Sequence, residues 1–529
     1  MNIQESKKFK QMKTGKYLPI FLFFAAFFLY TAGIRYNPIY ILDESKNVEC
    51  AREMFTRNDL VVPTFNDRLR TDKPPLHYYF MMASFKIFGV NEFAARFFSA
   101  IMGALTLLIT FLFTKKYAGE KTALLTWLIL ITSLNFSIEF HLAVPDPYLI
   151  FFMTLTHWAF FEFYQNRKWP WLITMYAALG LAILAKGPVA LGFAGLNGLL
   201  FLIMKRDFRW KTIKQFRLLL GVVVTGLIAI PWYVKVGLAT HGEWTRQFFF
   251  KHNLDRFSSE MEGHGGFFLL TAIFVLLAFL PYTIFLFQSY REAFRQRKNN
   301  DLILFSMIVS LVIIVFFSIS STQLPNYPMP AYPFVAVLIG YYLSNVNLKM
   351  KKPLWISLII GLLIPIGAFI AMKLDKSLVP VANMAWFFLV IPAGSVWALY
   401  NFYQQRSQQR IFTALSAGWI MAGILFFMVV FPAVNRQNPV QKALTAMDIS
   451  RPVAYYGRFN PAFAFALKKH IPQMKTPEEV SAFFQEHPNG YLISITKVQK
   501  ELEALPLKEI VRQKDLFENK TTQVYQWKP

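Results

Sequence analysis

Cysteine is almost absent: Cys50 is the single thiol in 529 residues, which excludes an internal disulfide and any cysteine-built metal cluster. Charge is scarce as well, 16 % of residues against 55 % hydrophobic, a balance too apolar for an ordinary soluble globule. Acids are the scarcer sign, 30 against 55 Lys and Arg, which leaves a net charge of +25. In a soluble chain that excess would point to nucleic acid. Here the basic residues gather in turns between apolar runs, so no nucleic-acid partner is read. Internal repeats and long low-complexity linkers are also missing, unlike the paired halves of many transporters, and the chain reads as a polytopic protein surrounded by membrane lipids.

Apolar stretches near the ~20 residues that cross a bilayer fall at 17–35, 93–114, 121–138, 147–164, 170–185, 188–204, 216–236, 267–290, 302–320, 330–346, 353–373, 382–402 and 411–431, about thirteen in all. Lys and Arg cluster in alternate connections, at Lys115-Lys116, Arg167-Lys168, Lys205 to Lys214, Arg291 to Lys298, Lys349 to Lys352 and Arg406 to Arg410. The positive-inside rule makes those connections and the Lys-rich N-terminus cytoplasmic. Loops 36–92, 139–146, 237–266 and 321–329, with everything after 432, then face outward. The first apolar run follows a basic stretch but is longer than the core of a secretion signal, so it is expected to stay as an anchor. The abundant Phe is expected on lipid-facing surface.

The loop after the first span is too long for a turn. Glu44 to Arg57 and the segment opened by Pro75 are expected to form amphipathic helices lying in the interface. Beyond residue 435 the pattern changes to a small α/β unit, residues 436–529 against a membrane domain of 1–435. Strands are expected at Pro452 to Tyr456, Tyr491 to Thr496 and Thr521 to Trp527, with a helix begun by Thr476-Pro477-Glu478-Glu479.

The chemical groups gather in the outer loops. Asp43 can simply cap the helix it precedes, but with Glu44 beside it and Asp72 at the next helix, carboxylates flank one short segment as general-base or metal chemistry requires. Asp72-Lys73-Pro74-Pro75 holds an acid and a base on a proline-stiffened turn. Asp146 stands between prolines where an outer loop enters a span. Lys186, in Lys186-Gly187-Pro188, either snorkels to the interface or meets a phosphate. His252 and Arg256 lie together in one outer loop, a metal ligand and a bidentate phosphate partner by type. Tyr327 centres the proline-stiffened loop Leu324-Pro325-Asn326-Tyr327-Pro328, either a connector or a gate over substrate.

Asp43-Glu44, Ala51-Arg52-Glu53-Met54, the stretch from Val62-Pro63 to Lys73-Pro74-Pro75, Lys186-Gly187-Pro188 and Leu324-Pro325-Asn326-Tyr327 together resemble the bacterial lipid-linked-sugar glycosyltransferases that include the lipid A aminoarabinose transferases and, more distantly, the protein O-mannosyltransferases. The resemblance covers residues 15 to 435. It implies a helical GT-C membrane fold, a site on the outer face of the bacterial inner membrane, a polyprenyl-phosphate-sugar donor, and lipid A, another glycolipid or protein as acceptor. It assigns catalysis to Asp43 and Asp146. Substrate binding falls to Lys46, Lys73, Lys186, Arg256 and Tyr327, and a divalent metal (Zn, Mg or Mn) to Asp72 and His252. The chain departs from the usual aminoarabinose transferase pattern at Asp72 (Glu there), at Lys46-Asn47 (Arg-Tyr) and at Gln323 (Lys). The rival of another class is a lipid or ion transporter, whose ionisable groups would sit at the bilayer midplane. In this chain the acids sit mainly at the outer rim.

Overall fold

A computed structural model of the chain describes residues 3–254, 267–346 and 349–528, with side chains from residue 15 onward except those of 252–254. Helices dominate because in lipid each backbone N–H and C=O must find its partner within its own segment. The elements that position the site are α1 (Ile3–Thr31), α2 (Leu42–Arg57), α3 (Leu76–Phe88), α4 (Glu92–Thr132), α5 (Leu134–Phe140), α6 (Asp146–Asn166), α7 (Trp169–Lys186), α8 (Val189–Met204), α9 (Trp210–Gln215) and α10 (Leu218–Ala239).

Among the described residues seven helices are long and apolar enough to cross a membrane, or eight if Leu270–Ala278 and Tyr282–Gln296, bent by 112°, act as one span. The thirteen apolar runs of the sequence exceed this count because α4 holds two of them and shorter apolar helices fall below that length. Residues 93–114 and most of 121–138 lie in α4, which is two helices meeting at a break at Gly119, where φ is 84° and glycine avoids a Cβ clash. Gly15–Thr31 and α8 are shorter apolar helices. The most apolar windows of α4 and Asp301–Ile319 are 61 % buried and so lie centrally, whereas those of the α9–α10 span and Lys351–Leu374 are 22 % buried and face lipid. Phe is divided between two roles: Phe21, Phe28, Phe268 and Phe287 are exposed as expected, whereas Phe113 stacks on Trp158 at 5.3 Å and Phe161 and Phe201 meet Phe305 at 5.3 and 5.2 Å, all buried. Large rings fill the spaces between these helices.

The two helices expected in the loop after the first span form where the sequence places them. Asp43 and Glu44 occupy the first turn of α2, where the helix dipole favours acids, and Asn58 closes it in a left-handed conformation. Val48, Ala51 and Met54 pack on Tyr78, Met81 and Phe85 of α3 and on Ala94 and Ala95 of α4, so the pair is seated on the bundle. Between them β1 (Thr64–Phe65) and β2 (Arg68–Leu69) make a small hairpin.

Near the C-terminus a five-stranded sheet runs in the order β4-β3-β5-β7-β6, with β3 (Val453–Tyr456), β4 (Gln473–Met474), β5 (Tyr491–Ile495), β6 (Leu507–Lys514) and β7 (Thr521–Trp527). β3 pairs in parallel with β4 and β5, and β7 pairs antiparallel with β5 and β6. The expected strands and the helix Pro477–Glu486 are present, with Thr476 accepting from the Glu479 amide at 3.3 Å. This unit grips the hairpin: Asn66 Nδ2 donates to the Ile471 carbonyl and the Ile471 amide to Asn66 Oδ1, each at 2.9 Å, and Arg68 reaches Gln473 at 2.7 Å.

Candidate active site

Five segments bring charge to one end of the bundle. Asp43, Lys46 and Asn47 share a face of α2 through their spacing of three and four. The loop into α3 supplies Arg70, Asp72 and Lys73. Asp43 lies 3.7 Å from Arg70 through one oxygen and 3.9 Å from Lys73 through the other, and Arg70 lies 3.6 Å from Asp72. At the facing wall Lys186, last residue of α7, pairs with Asp146, first residue of α6, and holds its ammonium 5.1 Å from the centre of the Tyr327 ring. Tyr327 itself packs on Phe317 at 4.9 Å. Glu139, buried at the end of α5, stands between these walls and interacts with Asp146, Lys186, Asp43 and Asn326.

The electrostatics follow from that packing. Asp43 is surrounded by protein yet 47 % exposed, the signature of a group that lines a recess. Burial alone would raise its pKa, but Lys73, Arg70, Lys186 and Lys46 outweigh burial and bring the carboxyl down to about 2. Glu139 moves the other way: burial, then Asp146, push its pKa well above the ordinary carboxylate value despite Lys186. His77 is held well below its usual value by burial and by Arg70 and Lys73, so it is neutral at physiological pH.

Neighbouring structure holds the groups in place. Arg70 is buried, donates to Asn47 Oδ1 at 3.0 Å, and has its carbonyl bound by Trp244 Nε1 at 2.8 Å. Glu53 receives the Asn66 amide at 2.6 Å and so ties the hairpin to α2. Glu44, one residue beyond Asp43, turns into the bundle and forms a two-pronged pair with buried Arg96 at 2.7 and 2.8 Å. Its Oε1 also accepts the Ala143 amide at 2.9 Å. Arg96 in turn donates to the Ile34 carbonyl at 3.0 Å and to the Asn37 carbonyl at 2.5 Å. One ion pair thus fixes the ends of α1 and α2 and the segment between Glu139 and Asp146.

Of the residues singled out in the sequence, Asp43, Lys46, Lys73, Asp146, Lys186 and Tyr327 are brought together, and Asp72 joins them through Arg70. Arg256 lies outside the described residues. His252 belongs to the segment Gln247–Leu254, and its side chain is outside them too. Arg70 lies beside Asp72, and among the described residues no group of three or more His, Cys, Asp and Glu is arranged to hold a metal. Arg70, Glu139 and Asn47 were missed. Glu139 carried a usable signal, a lone acid directly after an apolar run.

A family model described as dolichyl-phosphate-mannose-protein mannosyltransferase matches residues 72–234. Two uncharacterised proteins of Aquifex aeolicus are each 30 % identical, over 329 residues (62 % of this chain, 64 % of that one) and over 311 residues (58 % and 69 %). The undecaprenyl phosphate-alpha-4-amino-4-deoxy-L-arabinose arabinosyl transferase of Edwardsiella ictaluri is 26 % identical over 426 residues, covering 77 % of this chain and 76 % of its own. The chain belongs to this family of polyprenyl-phosphate-sugar glycosyltransferases. Its GT-C fold is that of ArnT from Cupriavidus metallidurans, solved bound to undecaprenyl phosphate: TM-score 0.80 at 21 % identity, over 96 % of this chain and 97 % of that one. It is a multi-pass membrane protein. The chain spans slightly less than two thirds of the first Aquifex relative.

Proposed function

We propose that the protein transfers a sugar from a polyprenyl phosphate to an acceptor, lipid A or another glycolipid, at the extracytoplasmic face of the bacterial inner membrane. Its N-terminus would then be cytoplasmic. Residues 1–435 form the catalytic membrane domain in this reading, and residues 436–529 an extracytoplasmic domain. One observation carries it: Arg70, Lys73 and Lys186 converge on Asp43 at the end of the bundle opposite the basic turns Arg167-Lys168 and Lys205 to Lys214. Under the positive-inside rule that arrangement puts the site outside, where a nucleotide sugar is not made and a lipid carrier is needed.

In the reaction the bond between the anomeric carbon and the phosphate oxygen breaks, its electron pair stays on the phosphate, and an acceptor oxygen bonds to the carbon. The phosphate left behind gains negative charge, which Lys73, Lys186 and Arg70 stabilise without moving. A carboxylate with a pKa of about 2 is a weak base. As the donor phosphate takes over its cations, however, the basicity of Asp43 rises, and it can accept the proton of an acceptor hydroxyl. An acceptor phosphate arrives ionised, and Asp43 then orients it. Asp146 acts by fixing Lys186 in its salt bridge. Asp72 and His252 would hold a divalent metal, which would supply further positive charge to the departing phosphate.

The test is mass spectrometry of lipid A and of cell-surface glycoproteins from cells with and without the gene, complemented by wild type or Asp43→Ala. A sugar present with wild type and absent with Asp43→Ala supports the reading. Restoration of the same product by Asp43→Ala refutes the role of Asp43, and modified glycoproteins with unmodified lipid A transfer the proposal to a protein acceptor.

A further inference from the structure

A second site lies at the other end of the helices that carry Lys186. A groove of 490 Å³, within the ~300–1,000 Å³ of ligand-holding pockets, opens between α6, α7, α8 and the α9 segment. Its walls are apolar, with Phe160, Met175, Leu179, Leu199, Leu202 and Phe216 among them. From Leu191 to Leu202 it follows α8 for roughly 16 Å, away from the catalytic end. The hollow exists because α8 presents small residues there: a Cβ built on Gly195 would meet nothing within 4 Å.

The mouth of the groove is cationic. Phe208, Ile213, Phe216 and Leu218 line it from a segment that also carries Arg206, Arg209, Lys211, Lys214 and Arg217, all exposed. Among the described residues none of these five forms a salt bridge, whereas neighbouring Lys205 pairs with Asp301 at 2.6 Å and Arg167 with Asp207 at 4.0 Å. Arg217 sits 4.8 Å from the centre of the Trp169 ring and Lys214 5.3 Å from that of Trp210. Both indoles are exposed, an arrangement suited to headgroup depth.

We propose that this groove binds one acyl chain of an anionic glycerophospholipid of the cytoplasmic leaflet, with the lipid phosphate among Arg206, Arg209, Lys211 and Arg217. An apolar trough accounts for the tail, and the unpaired cations account for the charge. A polyprenyl tail entering from the Lys186 end would fill the trough but leave the cations at its mouth without an anion, which is why a phospholipid whose own phosphate lies at that mouth is the better occupant.

The test is native mass spectrometry of the full-length protein released from micelles doped with phosphatidylglycerol, phosphatidylcholine or a polyprenyl phosphate. The expected result is retention of phosphatidylglycerol over phosphatidylcholine, loss of that adduct in Gly195→Phe, and a roughly tenfold weakening in Arg209→Glu/Lys211→Glu. The charge-reversed variant alters only exposed residues, so it keeps the test decisive if Gly195→Phe fails to fold. Equal retention of the two phospholipids, an undiminished adduct in folded Gly195→Phe, or polyprenyl phosphate as the species that Gly195→Phe displaces would each overturn the proposal.

Discussion

At the scale of single residues the site is a balance of four cations and four carboxyls packed within one recess. Asp43→Asn keeps the shape and removes the charge, and is expected to lower transfer by about 10²–10⁴-fold in a reconstituted assay. The sign of its pH effect follows from the lowered pKa. The ion pairs of Asp43 stabilise the fold fully above about 4, the ordinary carboxylate value, and that contribution disappears as pH falls to about 2. Glu139 behaves oppositely. Its raised pKa means that the folded state favours the protonated form, so its stabilising effect is present below about 4.3 and lost as pH rises through the raised value. Glu139→Gln, which mimics that form, is therefore expected to unfold at the same or higher temperature than wild type at neutral pH. A clear fall in the midpoint would show that the ionised carboxylate is needed.

Among elements, the Glu44–Arg96 pair has the widest reach, since it joins α2, α4, the end of α1 and the Ala143 backbone. Removing one partner leaves an uncompensated buried charge, so Arg96→Ala is expected to destabilise by about 3–5 kcal/mol, read as a loss of thermal midpoint in detergent. Glu44→Gln is expected to release the Glu139 segment with a smaller loss of stability. Its kcat should fall further than the transfer activity of a variant of equal stability altered on the lipid-facing surface. Sequence reading located α2 and α3, because amphipathic spacing and proline punctuation are local signals. It missed Arg70 because a basic residue in Asp67-Arg68-Leu69-Arg70 looks like ordinary loop charge, and only the fold shows that its guanidinium is buried against Asn47. β6 went unseen for a related reason: Leu507–Lys514 is an edge strand whose charged residues hide the alternation.

For the whole molecule, apolar runs and alternating basic turns made the membrane class legible, while long-range pairings such as Glu44 with Arg96 carry no mark in a linear reading. The C-terminal sheet grips the β1–β2 hairpin, which is continuous with Arg70, Asp72 and Lys73. Asn66→Ala is expected to loosen that grip and raise KM for the lipid-linked donor more than it lowers kcat, and a truncation after Gln437 to do so more strongly. Dialysis against a chelator, followed by Zn, Mg or Mn, tests the metal: activity lost and regained would support it, and unchanged activity would remove it.

The ring of cations around Asp43 has a kinetic consequence. Without a phosphate in the recess, the carboxylates neutralise their neighbours and keep like charges from pushing the rim apart. In the proposed reaction an entering lipid phosphate would displace those internal counter-ions, and they would return when it departs. Turnover then includes an exchange of anions within the protein itself, so raising the ionic strength is expected to slow capture of the donor while easing escape of the spent carrier.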